Sequence, residues 1–231
     1  MQTWLRLVPT MRRINRSLKT FKLSNIKVST TIAIDVLESS STSSFQPSNA
    51  TFRSDIKVSV MKPMLQFLNQ TKSSFHYDVY PYFAWSTNPH VFDLEYALLK
   101  GGEKSRYTDP VTKLTYTNLL DQLIDSAIFA MNKLGFPDIK LTIAETGWPT
   151  AGDKNEVGAN IHNAAIYNRN LVRKLSAKPL VGTPARPGVV IPTFIFALFN
   201  ENQKPGPTTE RHWGLFYPNE TQVYKITLNG E

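Results

Sequence analysis

Short apolar, β-branched runs alternate along this chain with long helical stripes, and that alternation restricts it to a parallel α/β architecture. The segment Ile26–Ile34 reads as a buried strand, followed by a helix from about Phe52 to Asn69 with Ile56, Val60, Met64 and Leu68 on its inner face. A second strand starts near Tyr77, a helix spans roughly Thr117 to Leu134, and a third strand covers Lys140–Ala144. Another helix runs from about Asn160 to Ala177, residues 179–192 read as loop, and Thr193–Phe199 forms the last long strand. Glu38–Ser44 is expected to be a polar loop, and a polar insertion surrounds Gly101–Gly102 and Asp109–Pro110. Strand and helix alternate four times, as in βαβ units with right-handed crossovers. A chain of 231 residues, 41% hydrophobic, is ample for one core, so no second domain is needed.

The net charge of +8 would suit a nucleic-acid partner if it were spread over a face. It is instead concentrated before Asp35, where Arg6, Arg12, Arg13, Arg16, Lys19, Lys22 and Lys27 leave 19 basic against 18 acidic residues in the remainder. Trp4, Leu7, Met11, Ile14, Leu18 and Phe21 recur there at helical spacing, which favours an outer helix with a solvated basic face over a transit peptide or a phosphate-contacting helix. No nucleic acid is therefore expected as partner. The absence of cysteine excludes a disulfide framework and thiolate metal sites, and no apolar run is long enough for a membrane span. The N-terminus lacks the apolar core of a signal peptide, while four Asn-X-Ser/Thr sequons, at Asn15, Asn49, Asn69 and Asn219, would fit a secreted chain.

Chemistry concentrates in Leu141–Gly152, where a strand ends in Glu145 and is stopped by Gly147 and Pro149, with Trp148 between them. The C-terminal tip of a parallel strand is where α/β folds place catalytic groups. Two readings stand on the tetrapeptide alone: an acid beside a sugar-stacking indole, or a solvated loop acid beside a core anchor. The cluster Tyr80, Tyr82, Phe83 and Trp85 at the end of the preceding strand is likewise either core or a sugar-binding wall.

The whole pattern resembles the plant endo-1,3-beta-glucanases of glycoside hydrolase family seventeen. Three segments carry the resemblance, in family order: Asp78–Trp85, the Glu145-Thr-Gly-Trp-Pro-Thr run, and Phe196–Phe216. The resemblance implies retaining hydrolysis of internal 1,3-beta-glucosidic bonds, with 1,3-beta-glucan as partner, no cofactor and no metal. It makes Glu145 the nucleophile, Glu201, Lys204 and Glu210 a supporting charged cluster, and Asp78, Tyr80, Tyr82, Phe83, Trp148, Phe199 and Asn200 the substrate-binding residues. Asp78 stands where many relatives have asparagine.

A (β/α)₈ barrel takes about 250 residues and eight strands, whereas four convincing strands are found here. The family order makes them strands five to eight of a partial TIM barrel, preceded by the fourth helix, so residues 1–231 are expected to be an incomplete glycoside hydrolase domain lacking the N-terminal half. No residue of the chain matches the family's general acid/base. The expectation is impaired turnover, with an inactive glucan-binding fragment as the alternative, and open strand edges as routes to self-association. The family further implies an extracellular or cell-wall location and a place in plant defence.

Overall fold

A computed structural model describes residues 2–38, 46–102 and 105–228. In chain order the elements are α1 (Gln2–Thr20), β1 (Thr31–Ala33), α2 (Ser54–Ile56), a π-helical stretch (Lys57–Met61), α3 (Lys62–Thr71), β2 (Phe75–Asp78), α4 (Pro81–Thr87), α5 (Leu94–Ala97), β3 (Tyr107–Thr108) and β4 (Thr115–Tyr116). They continue with α6 (Leu119–Lys133), β5 (Leu141–Thr146), α7 (Ile161–Leu175), β6 (Gly182–Thr183), β7 (Arg186–Pro187) and β8 (Thr193–Ile195). The main sheet has the order β1-β2-β5-β8, and β3-β4 and β6-β7 are separate antiparallel hairpins. The chain divides into two compact units, residues 1–78 with 125–144, and residues 79–124 with 145–231. None of the described helices is long and apolar enough to cross a membrane.

In the first unit β1 and β2 pair in parallel, with Ile32 opposite Tyr77 and Ala33 opposite Asp78. The Phe75 amide donates to the Lys140 carbonyl at 2.8 Å, at the entry of β5. Phe52, Phe75 and Tyr77 pack ring against ring at 6.4 and 5.9 Å between centroids, among Ile56, Met61, Leu65 and Leu68, all 2% exposed or less. Burial pushes the Tyr77 phenol far up, helped by the charge of Asp35. The expected strand over Ile26–Ile34 is shorter. The Ile26 amide turns back to Leu23, and Ile34 opens a tight turn closed by the Leu37 amide, which leaves three residues for the ladder. The expected helical stripe of α1 is also narrower: Val8 and Met11 are buried, whereas Ile14 and Phe21 are exposed. The polar loop expected over Glu38–Ser44 lies outside the described residues except for Glu38.

The second unit carries the tip of β5. Its α7 starts on Asn160, whose side-chain oxygen accepts the Asn163 amide at 2.9 Å, and ends with Arg173 and Lys174 where the helix dipole favours cations. Lys174 ion-pairs at 2.9 Å with Asp121 and donates at 2.8 Å to the Gly182 carbonyl, so one ammonium ties α7 to α6 and to the β6-β7 hairpin. Burial raises the Asp121 carboxyl despite the opposing charge of Lys174. Residues 179–192, expected as loop, contain that hairpin. The strand expected over Thr193–Phe199 stops at Ile195. Beyond it the Phe196–Ala197 peptide is cis, and residues 197–200 exchange backbone hydrogen bonds with residues 213–216.

Candidate active site

Glu145 is the penultimate residue of β5 and is partly exposed, whereas Ile143, two residues earlier on the same face of the strand, is fully buried. Its neighbours are held from both sides: the Val79 amide donates to the Glu145 carbonyl at 3.0 Å, and the Phe196 amide to the Thr146 carbonyl at 2.8 Å. The Tyr80 hydroxyl donates to Glu145 Oε2 at 2.8 Å. A hydrogen bond of that length restricts the carboxyl group's rotation. Gly147 follows because nothing larger fits: a Cβ there would lie 2.3 Å from the Phe196 carbonyl oxygen.

The aromatic wall expected from the sequence divides into a buried and an exposed part. Tyr82, Phe83 and Trp85 sit on α4, a helix started by Pro81, while Tyr80 is the residue that caps it. Helical spacing turns Tyr82 and Trp85 inward, to 3% and 6% exposure. There they meet Trp148, which is fully buried between Tyr82, Trp85 and Tyr167 at centroid distances of 5.3, 5.7 and 5.7 Å, its indole N–H donating to the Gly158 carbonyl at 2.9 Å. Trp148 and Tyr82 are thus core anchors behind the site and present no ring face to solvent. Phe83 and Phe199 remain open, at 42% and 40% exposure. Asn200 is buried with its side-chain oxygen accepting the Gly214 amide at 2.8 Å, so it braces the backbone. Asp78 closes β2 in the first unit, in register with Ala33.

The three charged residues expected as a cluster do come together. Lys204 Nζ lies 2.9 Å from Glu210 Oε2, 3.6 Å from Glu201 Oε2, and 4.7 Å above the centre of the Phe196 ring. Partial desolvation works against the ammonium, but the hydrogen bond and charge of Glu210, then those of Glu201, outweigh it and raise the Lys204 pKa. The ring beneath Lys204 reaches Tyr80 at 6.4 Å, so one line of contacts runs from the cluster through Phe196 and Tyr80 to Glu145.

Sequence reasoning assigned no role to Trp213, which is the hub of this arrangement. Its ring, 2% exposed, touches Tyr80 at 5.0 Å, Phe83 at 5.6 Å, Tyr82 at 5.8 Å and Phe196 at 6.3 Å. No local pattern marks it, because its partners lie on α4 and after β8.

The site thus joins a glutamate near the end of a strand, held by a phenol, to a cluster of one lysine and two glutamates, in an α/β fold with a parallel sheet. The model of the family called glycosyl hydrolases family 17 matches residues 2–228, and the chain belongs to that family. Among its relatives, a probable glucan endo-1,3-beta-glucosidase A6 of Arabidopsis thaliana is 55% identical over 225 residues, 97% of this chain and 46% of that protein. Glucan endo-1,3-beta-glucosidase 12 of the same plant is 41% identical, over 97% of this chain and 41% of its own length. The chain therefore spans about half the length of these relatives. Among solved structures, CJP38, a beta-1,3-glucanase and allergen of Cryptomeria japonica pollen, superposes with a TM-score of 0.85 at 42% identity, covering 95% of this chain and 64% of that one. A plant beta-glucan endohydrolase gives 0.83 at 37% identity, with 95% and 66% covered.

Proposed function

We propose that this chain carries the nucleophile side of a retaining endo-1,3-beta-glucanase site, and the Tyr80 hydroxyl on Glu145 at 2.8 Å is the observation that carries the reading. Glu145 attacks the anomeric carbon and forms a glycosyl-enzyme that water then hydrolyses. A second carboxyl group about 5 to 5.5 Å away protonates the leaving oxygen and later activates that water. Glu201 and Glu210 are both engaged by Lys204, so their part is to hold the cluster in place. The open rings of Phe83 and Phe199 are the faces on which glucose units lie, with Tyr80 beneath the cleaved residue and Tyr82, Trp148 and Asn200 supporting from behind. The four-strand sheet corresponds to strands five to eight of a (β/α)₈ barrel, and the protein acts outside the cell or in the cell wall.

The test is release of oligosaccharides from linear 1,3-beta-glucan, measured for this chain and for a version extended to the length of its relatives. No product from the extended version overturns the reading. Without a partner acid the shorter chain is expected to be about 10²- to 10⁴-fold slower, and comparable rates would point to an acid within it. Retained glucan binding without turnover favours a binding role for the chain alone. The outer strands β1 and β8 offer edges for self-association, which sedimentation at increasing concentration detects.

Tyr80→Phe removes the hydroxyl while keeping the ring packed on Trp213. A hydrogen bond to a charged group is worth enough that kcat/KM of the extended protein should fall about 10- to 100-fold, with little change in melting temperature.

A further inference from the structure

The loop after β5 is fastened to the turn that presents Glu210 at two points, and one of them rests on a carboxylate that has no place in the reaction above. Both oxygens of Glu156 accept from the Thr209 amide, at 3.3 and 3.2 Å, and Oε1 also accepts the Thr209 hydroxyl at 2.5 Å. Its Oε2 takes the Asp153 amide at 2.7 Å, which closes its own loop. Thr209 is 2% exposed, and Gly152 packs into the junction so closely that a Cβ would stand 2.8 Å from Glu156 Cβ and 2.9 Å from Thr209 Cγ2. On the far side of the loop the Gly158 carbonyl accepts from Trp148, Asn160 and Asn163. A second tie, from the Thr150 amide and hydroxyl to the His212 carbonyl at 2.7 and 2.9 Å, holds the other end of the turn. Between the two ties lie Glu210, on Lys204, and Arg211, whose guanidinium donates to the Lys204 and Gly206 carbonyls at 3.0 and 3.1 Å.

We propose that Glu156 is a positioning residue of this site: its ionised carboxylate clasps Thr209 and thereby keeps the adjoining Glu210 on Lys204. This rests on the glycosidase reading for its purpose, though not for its geometry. The clasp is sensitive to acid. Partial burial raises the Glu156 carboxyl, but the Thr209 hydroxyl, the Asp153 and Thr209 amides and the charge of Arg211 together bring it below its ordinary value. The folded-state value being the lower one, the stabilisation is complete above the ordinary carboxylate range and is lost as pH falls through the depressed value. The charged and titratable groups that face it or share the elements packed on it are Glu210, Arg211 and His212 on the turn, Tyr82 on α4, and Asp153 and Lys154 on its own loop. Tyr82 is pushed up to about 12 by burial and by Glu156 itself, so it stays neutral over the relevant range.

Hydrogen exchange of the amides from Thr209 to Trp213, expressed as protection relative to intrinsic rates, tests this in the intact chain. At neutral pH, Glu156→Gln should lower protection there about tenfold, because one of the two accepting oxygens becomes an amide nitrogen that only donates, and the negative charge is lost. Thr209→Val, which removes only the hydroxyl, should lower it in the same residues. Wild-type protection should fall toward the Glu156→Gln value as pH drops below the carboxylate range, while the variant stays flat. Unchanged protection in Glu156→Gln, or an equally pH-dependent fall in that variant, overturns the proposal; should that variant not fold, Thr209→Val and the wild-type pH series decide alone. Laminari-oligosaccharide titration separates this from the glucanase reading. A clasp seen by exchange in a protein that binds no glucan removes the reading but not the clasp, whereas tight glucan binding with the same dissociation constant and pH dependence in wild type and Glu156→Gln removes the positioning role.

Discussion

Replacing Glu145 by glutamine is expected to lower hydrolysis of linear 1,3-beta-glucan by on the order of 10⁴- to 10⁶-fold, the scale seen when a covalent nucleophile is removed. Glutamine has the same shape and can still accept the Tyr80 hydroxyl, now donating at 2.8 Å, so the fold and the cleft should survive. What disappears is the anionic oxygen that forms the glycosyl-enzyme in the proposed mechanism. The measurement is reducing-end release by the version extended to the relatives' length, with circular dichroism as the control for folding. The chain alone can be examined with a 2-deoxy-2-fluoro glucoside bearing a dinitrophenolate leaving group, which departs without an acid. Wild type should acquire the sugar's mass on the peptide containing Glu145, and Glu145→Gln should not. Equal turnover or equal labelling in the variant would place the nucleophile elsewhere.

The position of Glu145 was legible because it depends on short-range information: an apolar run long enough for a strand, a glycine and a proline to stop it, and an acid between. The helices from Leu119 and from Ile161 were legible for the same reason, since their apolar residues recur at helical spacing; the structure adds the side chains of Asn118 and Asn160 as acceptors at their starts. Strand lengths were less so. Ile34 and Phe196 are as apolar as their neighbours, and only the turn closed at Leu37 and the exchange of hydrogen bonds with residues 213–216 take them out of the ladder. The side of the ring that a given aromatic shows to solvent was not legible at all. Tyr82 and Phe83 are adjacent and chemically alike, yet one is 3% and the other 42% exposed, because α4 points the first at Trp148. The same holds for Trp213 and for Glu156, whose roles exist only once residues far apart in the chain meet; Glu156 and Thr209 are 53 positions apart.

Trp148 is where that distinction between wall and core has its largest consequence. Its ring is wholly buried against Tyr82, Trp85 and Tyr167, and its N–H is satisfied by the Gly158 carbonyl. Truncation to alanine removes those contacts and leaves a cavity that close-packed neighbours fill poorly, at a cost of about 3 to 5 kcal/mol. That is a large part of a stability of roughly 5 to 15 kcal/mol. For a protein of this size about 2 to 4 °C is lost per kcal/mol, so the midpoint of thermal unfolding should fall by roughly 10 °C, followed by calorimetry or near-ultraviolet circular dichroism. Trp148→Phe, which keeps most of the ring volume and loses the bond to Gly158, should fall by less. A sugar-stacking residue behaves in the opposite way: its removal weakens glucan binding and leaves the midpoint where it was. A Trp148→Ala protein that melts within about 2 °C of wild type but no longer binds laminari-oligosaccharides would therefore return the indole to the wall of the cleft, and with it the arrangement of Tyr82 and Trp85 on α4.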